Sequence, residues 1–301
     1  MGLRALLDLP APAKLNLFLH VVGRRPDGYH LLQSQFVLID WADVLHLERR
    51  EDGRLRRHDL GAALPEDDLC LRAARALQQH SGTRLGADLS IDKRVPWGAG
   101  LGGGSSDAAT TLLGLNRLWG LAWPRQRLLA LAATLGADVP FFVGGRNAFV
   151  EGIGERLTPI ELPRAWYAVV KPAVPLSTAA IFSSPLVGRS AKTDIVMGSL
   201  ADVSAPDAVA DGWVCKLLDG LGRNDLQAAA EDRCDGVAQA AAWLHSRCGN
   251  SRMTGSGSAV FARAGTGDQP AAAFPAEELP PGWVGRMCRS LVRHPLADWA
   301  G

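Results

Sequence analysis

The chain has 301 residues, 47% of them hydrophobic, with 32 basic and 31 acidic side chains and a formal net charge of +1. That size and apolar content suit a globular protein of two domains, and the near-neutral balance excludes the basic excess of a dedicated nucleic-acid binder while leaving room for a local phosphate pocket. No apolar run reaches the length of about 18 residues that a membrane span needs, and the five scattered cysteines (Cys70, Cys215, Cys234, Cys248, Cys288) form no CxxC pair, which argues against a disulfide framework or a cysteine zinc site.

The opening stretch, MGLRALLDLPAPAKLNL, is broken by Asp8 and by prolines and lacks the apolar core of a signal peptide, so a cytoplasmic location is expected. From Ala13 the pattern alternates. Ala13, Leu15, Leu17 and Leu19 share one face of a strand, and Lys14, Asn16, Phe18 and His20 the other. Pro26-Asp27-Gly28 reads as a turn, and Leu31 to Asp40 as a second strand joined to the first antiparallel. Arg49 to His58 is charged, an exposed loop or edge hairpin. Asp67 to Gln79 has helical spacing, and Ala87 to Asp92 is a further strand.

Then comes VPWGAGLGGGSSDAATTLLGLNRLW. Five glycines fall between Gly98 and Gly104, and Ala108, Ala109, Leu112, Leu113, Leu115, Leu118 and Trp119 recur as one buried helix face. Gln126 to Leu135 predicts another helix, LGADVPFFVGG a turn with a short helical segment, and Asn147 to Leu157 a hairpin. The texture changes near Pro159 to Pro163, which divides the chain into domains 1–160 and 161–301. Beyond it, Trp166 to Pro172 and Ser258 to Ala264 read as strands, and Thr178 to Phe182 and Leu226 to Trp243 as helical. Gly265 to Gly282 is loop-like, and Val187 to Asp211 carries no motif. Strands and helices both recur without a regular βαβ rhythm, which points to an α+β class.

A glycine-rich loop between a strand and a helix suits a phosphate. The first N–H groups of a helix lack intrahelical partners and the helix dipole favours an anion there. Glycine lets the backbone come close. Ser105 and Ser106 can cap the helix and offer hydroxyls to a phosphate or to a metal bound on it, and Asp107 complements the dipole but would repel a nearby phosphate unless it points away. The P-loop pattern fails because no lysine follows the glycines, and the dinucleotide fingerprint lacks its βαβ context. A flexible Gly/Ser linker is the remaining structural alternative.

The run from Pro96 to Ala109 resembles the phosphate loop of the GHMP small-molecule kinases. PAKLNLFLHVVGRRPDGYHLLQS near the N-terminus and SRMTGSGSAVFA (Ser251 to Ala262) match that superfamily's other motifs in order, with a weaker echo in His294-Pro295. PAKLNL, RPDGYH, LGGGSSDAA and LGADVPFF together resemble the branch that phosphorylates the 2-hydroxyl of a methylerythritol carrying a cytidine diphosphate, in non-mevalonate isoprenoid synthesis. The resemblance covers about Pro12 to about Ala262. It implies a ribosomal-S5-like N-terminal domain and a ferredoxin-like C-terminal domain, with the active site between them.

The same resemblance assigns roles. Lys14 and Asp138 are the catalytic pair, Asp138 accepting the hydroxyl proton and Lys14 steadying the developing alkoxide. The local alternatives are a helix N-cap for Asp138 and an exposed strand lysine for Lys14. ATP phosphates fall to Pro96, Trp97, Gly98, Ala99, Gly100, Leu101, Gly102, Gly103, Gly104, Ser105 and Ser106, with Mg2+ arriving on ATP and no firm protein ligand for it. Trp97 and Ala99 are bulkier than glycines that could stand there. Asn16, about 6–7 Å from Lys14 along the strand, contacts substrate. Tyr29 and His30 join a cytosine pocket, His30 at the base edge, with Phe182 as the opposite stacking face and Thr178 nearby. Gly255, Ser256 and Gly257 wall the site. The partner is a small molecule with a cytidine diphosphate group; nucleic acid and membrane are not expected, and the protein is a monomer or weak homodimer. A relative acting on homoserine or mevalonate stays open, and more remotely an S5-like RNA-binding module.

Overall fold

The computed structural model describes residues 2–61, 63–66, 68–189 and 222–300; the part of the motif-free stretch from 190 to 211, and Cys215, lie outside these. Strand β1 (Ala5–Arg24) pairs antiparallel with β2 (His30–Arg50). The turn between them is held by Asp27, whose Oδ1 accepts the Tyr29 N–H at 3.2 Å, an aspartate's common local bond in a turn. The alternation read from Ala13 to His20 is real, but both faces are buried. Ala13, Leu15 and Leu17 face a core shared with the C-terminal half, whereas Lys14 and Asn16 face the cavity described below.

The length of β2 lets it meet four strands. Besides β1, it pairs through Leu32–Phe36 with β5 (Ala148–Gly152), through Val44–Arg50 with β4 (Gly86–Asp92), and through Leu38 and Ile39 with β10 (Val284–Leu291). Strand β6 (Arg156–Pro159) closes the expected hairpin with β5. The charged stretch after Arg49 is a short loop at 51–54 and then an edge strand, with no hairpin. That strand is β3 (Leu55–Asp59), which pairs parallel with β4 because β4 inserts between it and β2. In the second half, β7 (Trp166–Lys171) lies between β10 and β9 (Val260–Arg263), with β8 (Arg252–Met253) at the edge. The described strands make one ten-stranded sheet, joined across its middle by Ser290↔Ile39 and Leu291↔Leu38.

Helices α1 (Leu69–Ser81), α2 (Gly103–Leu118), α3 (Arg125–Ala133) and α4 (Val139–Gly144) share the N-terminal core with the sheet. Leu112 and Leu115 of α2 have no exposed surface; truncating either to Ala would cost roughly 2–5 kcal/mol. That burial fixes α2 even though its first turn is glycine. Short α5 (Thr178–Phe182) falls where expected. The helical stretch after Leu226 is two helices, α6 (Gln227–Arg233) and α7 (Asp235–Cys248), because Cys234 adopts an extended conformation (φ −153°, ψ 98°) between them. These two pack on β7 to β9 as the C-terminal core. The final residues cross back: Leu296 and Ala300 are buried in the N-terminal core. Among the described residues no helix is long and apolar enough to cross a membrane.

Candidate active site

The glycine loop ends at Gly102, which caps α2 through its left-handed backbone (φ 71°) and not through a side chain. Ser105 and Ser106 therefore do not cap the helix as expected; they lie inside its first turn. The first helical bond runs from the Ser106 N–H to the Gly102 carbonyl at 2.9 Å, so the N–H groups of Gly103, Gly104 and Ser105 have no partner within the helix. These residues line a cavity of about 650 Å³. Three unpaired N–H groups at the positive end of a 16-residue helix form an anion site. Ser106 lies beneath it, fully buried, its hydroxyl without a partner among the described residues.

The glycines serve the protein as well as a ligand. A Cβ on Gly100 would stand 2.2 Å from the Thr254 carbonyl, because the loop packs backbone to backbone against the second glycine turn, Gly255 to Gly257. The Ser258 and Ala259 N–H groups bond the carbonyls of Gly98 and Ala99 at 3.0 and 3.1 Å. A Cβ on Gly102 would press on Phe142 and on Cε of Lys14, at 3.0 and 3.2 Å. Hence the loop is bare where it meets both the second turn and the lysine.

Beneath the loop sits a buried charge cluster. Lys93 Nζ donates to Asp107 Oδ2 at 2.7 Å and to Asp43 Oδ2, and the other Asp43 oxygen accepts the N–H groups of Arg94 and Val95 at 2.6 and 2.7 Å. Burial alone would lower the Lys93 pKa, but the two carboxylates outweigh it and hold it above its ordinary value. Burial pushes the Asp107 carboxyl well up; Lys93 opposes this and Asp43 adds to it. Asp107 Oδ2 ties α2 to β2 through Lys93, while the residue also lines the cavity and its Oδ1 has no partner among the described residues. This clamp was missed in the sequence, where its members are 50 and 14 residues apart.

Lys14 and Asp138 meet across the cavity. Lys14 Nζ stands 3.6 Å from Asp138 Oδ2, with 4% of the lysine and 31% of the aspartate side chain exposed. Asp138 immediately precedes α4, yet its side chain makes no capping bond, so the carboxylate is not committed to the helix. Nζ donates to Asn16 Oδ1 at 2.6 Å and lies 4.5 Å over the Phe36 ring. Burial lowers the Lys14 pKa, and Asp138 only partly opposes this. Both residues line the same cavity as the helix N-terminus. A hydroxyl lying against both and an anion at α2 would share one space.

The remaining expected residues divide. Asn16, Thr178 and Phe182 line the cavity, as do Pro96 to Ser105 and the second glycine turn, and the Thr178 and Ser256 hydroxyls bond at 2.8 Å. His30 stacks directly on Phe182, centroids 5.3 Å apart and planes 26° from parallel. Burial and then the charges of Arg24 and Arg189 lower its pKa, so the ring is neutral near pH 7 and offers one donor and one acceptor. Tyr29, 61% exposed, and His30 both stand outside the lining, which corrects the expected pocket. Ser34 and Thr254, which touch Asn16, were not foreseen; only the likeness of the whole stretches around them signalled their place. Leu64, Pro65, Asp68 and Leu69 also line the cavity, equally unforeseen.

Known proteins resemble this chain along its whole length. Residues 68–146 match the GHMP kinases N terminal domain and 208–276 the GHMP kinases C terminal domain. A protein of Methylibium petroleiphilum named 4-diphosphocytidyl-2-C-methyl-D-erythritol kinase is 67% identical over the full length of both chains. A crystal structure of 4-(cytidine 5'-diphospho)-2C-methyl-D-erythritol kinase superposes with a TM-score of 0.71 at 33% identity, covering 93% of this chain and 98% of that one. Homoserine kinase from Cytophaga hutchinsonii, at 17% identity and a TM-score of 0.67 over 96% and 95% of the two chains, shares the fold.

Proposed function

Because the chain belongs to the 4-diphosphocytidyl-2-C-methyl-D-erythritol kinase family of GHMP kinases, with its two-domain α+β fold, we propose that it transfers the γ-phosphoryl group of ATP to the 2-hydroxyl of 4-diphosphocytidyl-2-C-methyl-D-erythritol. The observation that carries the reading is one cavity holding both the bare helix N-terminus and the Lys14–Asp138 pair.

Phosphoryl transfer asks a protein for positioning and charge stabilisation more than for covalent chemistry. ATP supplies the phosphoryl group. The N–H groups of Gly103, Gly104 and Ser105 hold its phosphates. Asp138 accepts the proton of the substrate hydroxyl as the bond to phosphorus forms. Lys14, with N–H groups left over after Asn16, keeps that carboxylate charged and steadies the alkoxide. Phe182 offers the cytosine ring a stacking face on its cavity side, with Thr178 beside it, and the neutral His30, packed on Phe182 from outside the lining, meets the ring's edge only by moving off Phe182; Tyr29 stands beyond it. Mg2+ comes with the ATP. Asp107 gives Oδ2 to Lys93 and Asp138 faces Lys14, which leaves Asp107 Oδ1, without a partner among the described residues, as a carboxylate oxygen that would hold the ion, with phosphates and water supplying the rest, as is usual for it. Residues 1–160 form the N-terminal domain with the phosphate loop and the catalytic pair, and 161–301 the second domain, apart from the last residues that return to the first core, in a cytoplasmic monomer or weak homodimer.

The test is ADP release by the purified protein with Mg-ATP, comparing the cytidylated alcohol with mevalonate and homoserine. Release that depends on the cytidylated alcohol is expected. Release with mevalonate or homoserine alone would keep the kinase and discard the cytosine pocket.

A further inference from the structure

The side chain of Asn16 can be turned either way about its last bond, and the two choices differ at Lys14. With Oδ1 toward Nζ the ammonium gains an acceptor. With the NH2 group toward it, donor faces donor. The neighbours decide. The register of β1 against β2 slips between Asn16↔Phe36 and Leu19↔Ser34, and in that slip the Ser34 hydroxyl meets the Phe18 carbonyl. A carbonyl only accepts, so the single hydroxyl hydrogen of Ser34 is spent there. Ser34 Oγ is also 2.9 Å from the Asn16 amide. With its hydrogen committed, it can only accept, and the group facing it must be the NH2. Oδ1 is thereby turned to Lys14, at 2.6 Å.

Thr254 supports the same choice more weakly. Its hydroxyl accepts the Asn16 N–H at 2.9 Å and is 3.3 Å from Oδ1, with the Gly100 carbonyl as a rival acceptor at 3.5 Å. Ser34 and Asn16 are both buried, 1% and 2% exposed, in the wall of the cavity, so little of either is open to a replacing water.

We propose that Ser34 is a positioning residue for the phosphoryl transfer: through Asn16 it fixes which way the amide faces and so where the Lys14 ammonium stands. The inference rests on the reading of Lys14 as the group that steadies the alkoxide. Without the hydroxyl, the NH2 of Asn16 loses its acceptor, and turning over to seek another would set it against Nζ.

The experiment is steady-state kinetics of the full chain with Mg-ATP and 4-diphosphocytidyl-2-C-methyl-D-erythritol, with wild-type turnover as the control. Failure of the wild type on this alcohol would strike the functional reading; the variants test Ser34. Ser34→Ala should lower kcat about tenfold while both KM values stay within about threefold, the pattern of an interaction realised in the transition state. In an Asn16→Asp background, where both ends of the side chain are oxygens, the same change should cost no further kcat. Unchanged kcat in Ser34→Ala would overturn the proposal, as would a raised KM for the alcohol at unchanged kcat, which would make Ser34 a substrate contact. Should Ser34→Ala fail to fold, Ser34→Cys, close in size and a weaker hydrogen-bonding group, should lose several-fold in kcat; wild-type kcat there would overturn it equally.

Discussion

Two buried lysines stand on either side of the glycine loop and behave in opposite ways. Lys93 has two carboxylates in direct contact, and its charge is held above the ordinary lysine range. Lys14 has one carboxylate, 3.6 Å off and partly open to the cavity, and burial wins, lowering its pKa. The residue type and the burial are nearly the same. The difference lies in how completely the partners repay desolvation. A repaid charge makes a clamp. An under-repaid one, with donors to spare, is left free to meet a charge that develops during a reaction. His294 extends the series: it is 1% exposed, faces Arg125 and not a carboxylate, and gives up its proton, its pKa pushed down to about 3 by burial first and then by Arg125.

The same substitution should therefore do opposite things at the two lysines. Lys93→Met leaves Asp43 and Asp107 buried without their cation and should cost about 3–5 kcal/mol in urea unfolding. Lys14→Met should leave stability level or slightly raised and lower kcat by roughly 10²–10⁴. Equal stability losses at both sites would erase the distinction.

His294 sharpens the comparison at acid pH. Its folded pKa is depressed and its unfolded one is about 6.5, so the unfolded chain binds the extra proton as pH falls. Its contribution to stability should fall by about 1.4 kcal/mol per pH unit between about pH 6.5 and 3. His294→Asn should flatten that slope in pH-dependent denaturation; an unchanged slope would refute the assignment.

Phe182→Ala should raise KM for the cytidylated alcohol about tenfold, by loss of a stacking face, with KM for ATP unmoved. The smallest effect is a slope. Since Lys14 acts as a cation and its pKa lies below 10.5, kcat should begin to fall with rising pH before an ordinary lysine would titrate. Over the window from that lowered value to 10.5 the unfolded chain holds more protons, so the residue's effect on stability runs the other way and rises with pH. A flat kcat up to pH 10.5 would contradict it.

The sequence made local structure readable wherever a pattern repeats within one element. The alternation from Ala13, the helix after Gly102 and the Asn147 to Leu157 hairpin all stand where their spacing places them. It failed where partners lie far apart along the chain. Nothing near Leu55 says that β4 will insert between β3 and β2. Strand β10, VGRMCRSL, carries a glycine and two arginines and shows no clean alternation, so it went unnoticed, although it joins the two halves of the sheet. Within the site, Lys14, Asp138 and the glycine loop were found through spaced motifs. The Lys93 clamp and Ser34 were not, because a hydrogen-bond network is set by geometry across strands and leaves no period in the chain. The serines after Gly104 misled for a related reason: their residue type favours a cap, but Gly102 reached the left-handed conformation first and took the position.

The measurement that bears most directly on the Lys14–Asp138 corner is single-turnover transfer by Asp138→Asn alongside its affinity for ATP. The carboxamide keeps the shape of the side chain, and the anion site at α2 is untouched. ATP affinity should stay within about threefold while transfer to the cytidylated alcohol falls by roughly 10²–10⁴. Transfer near the wild-type rate would contradict the assignment of Asp138 as proton acceptor and leave the reaction to orientation and Lys14 alone.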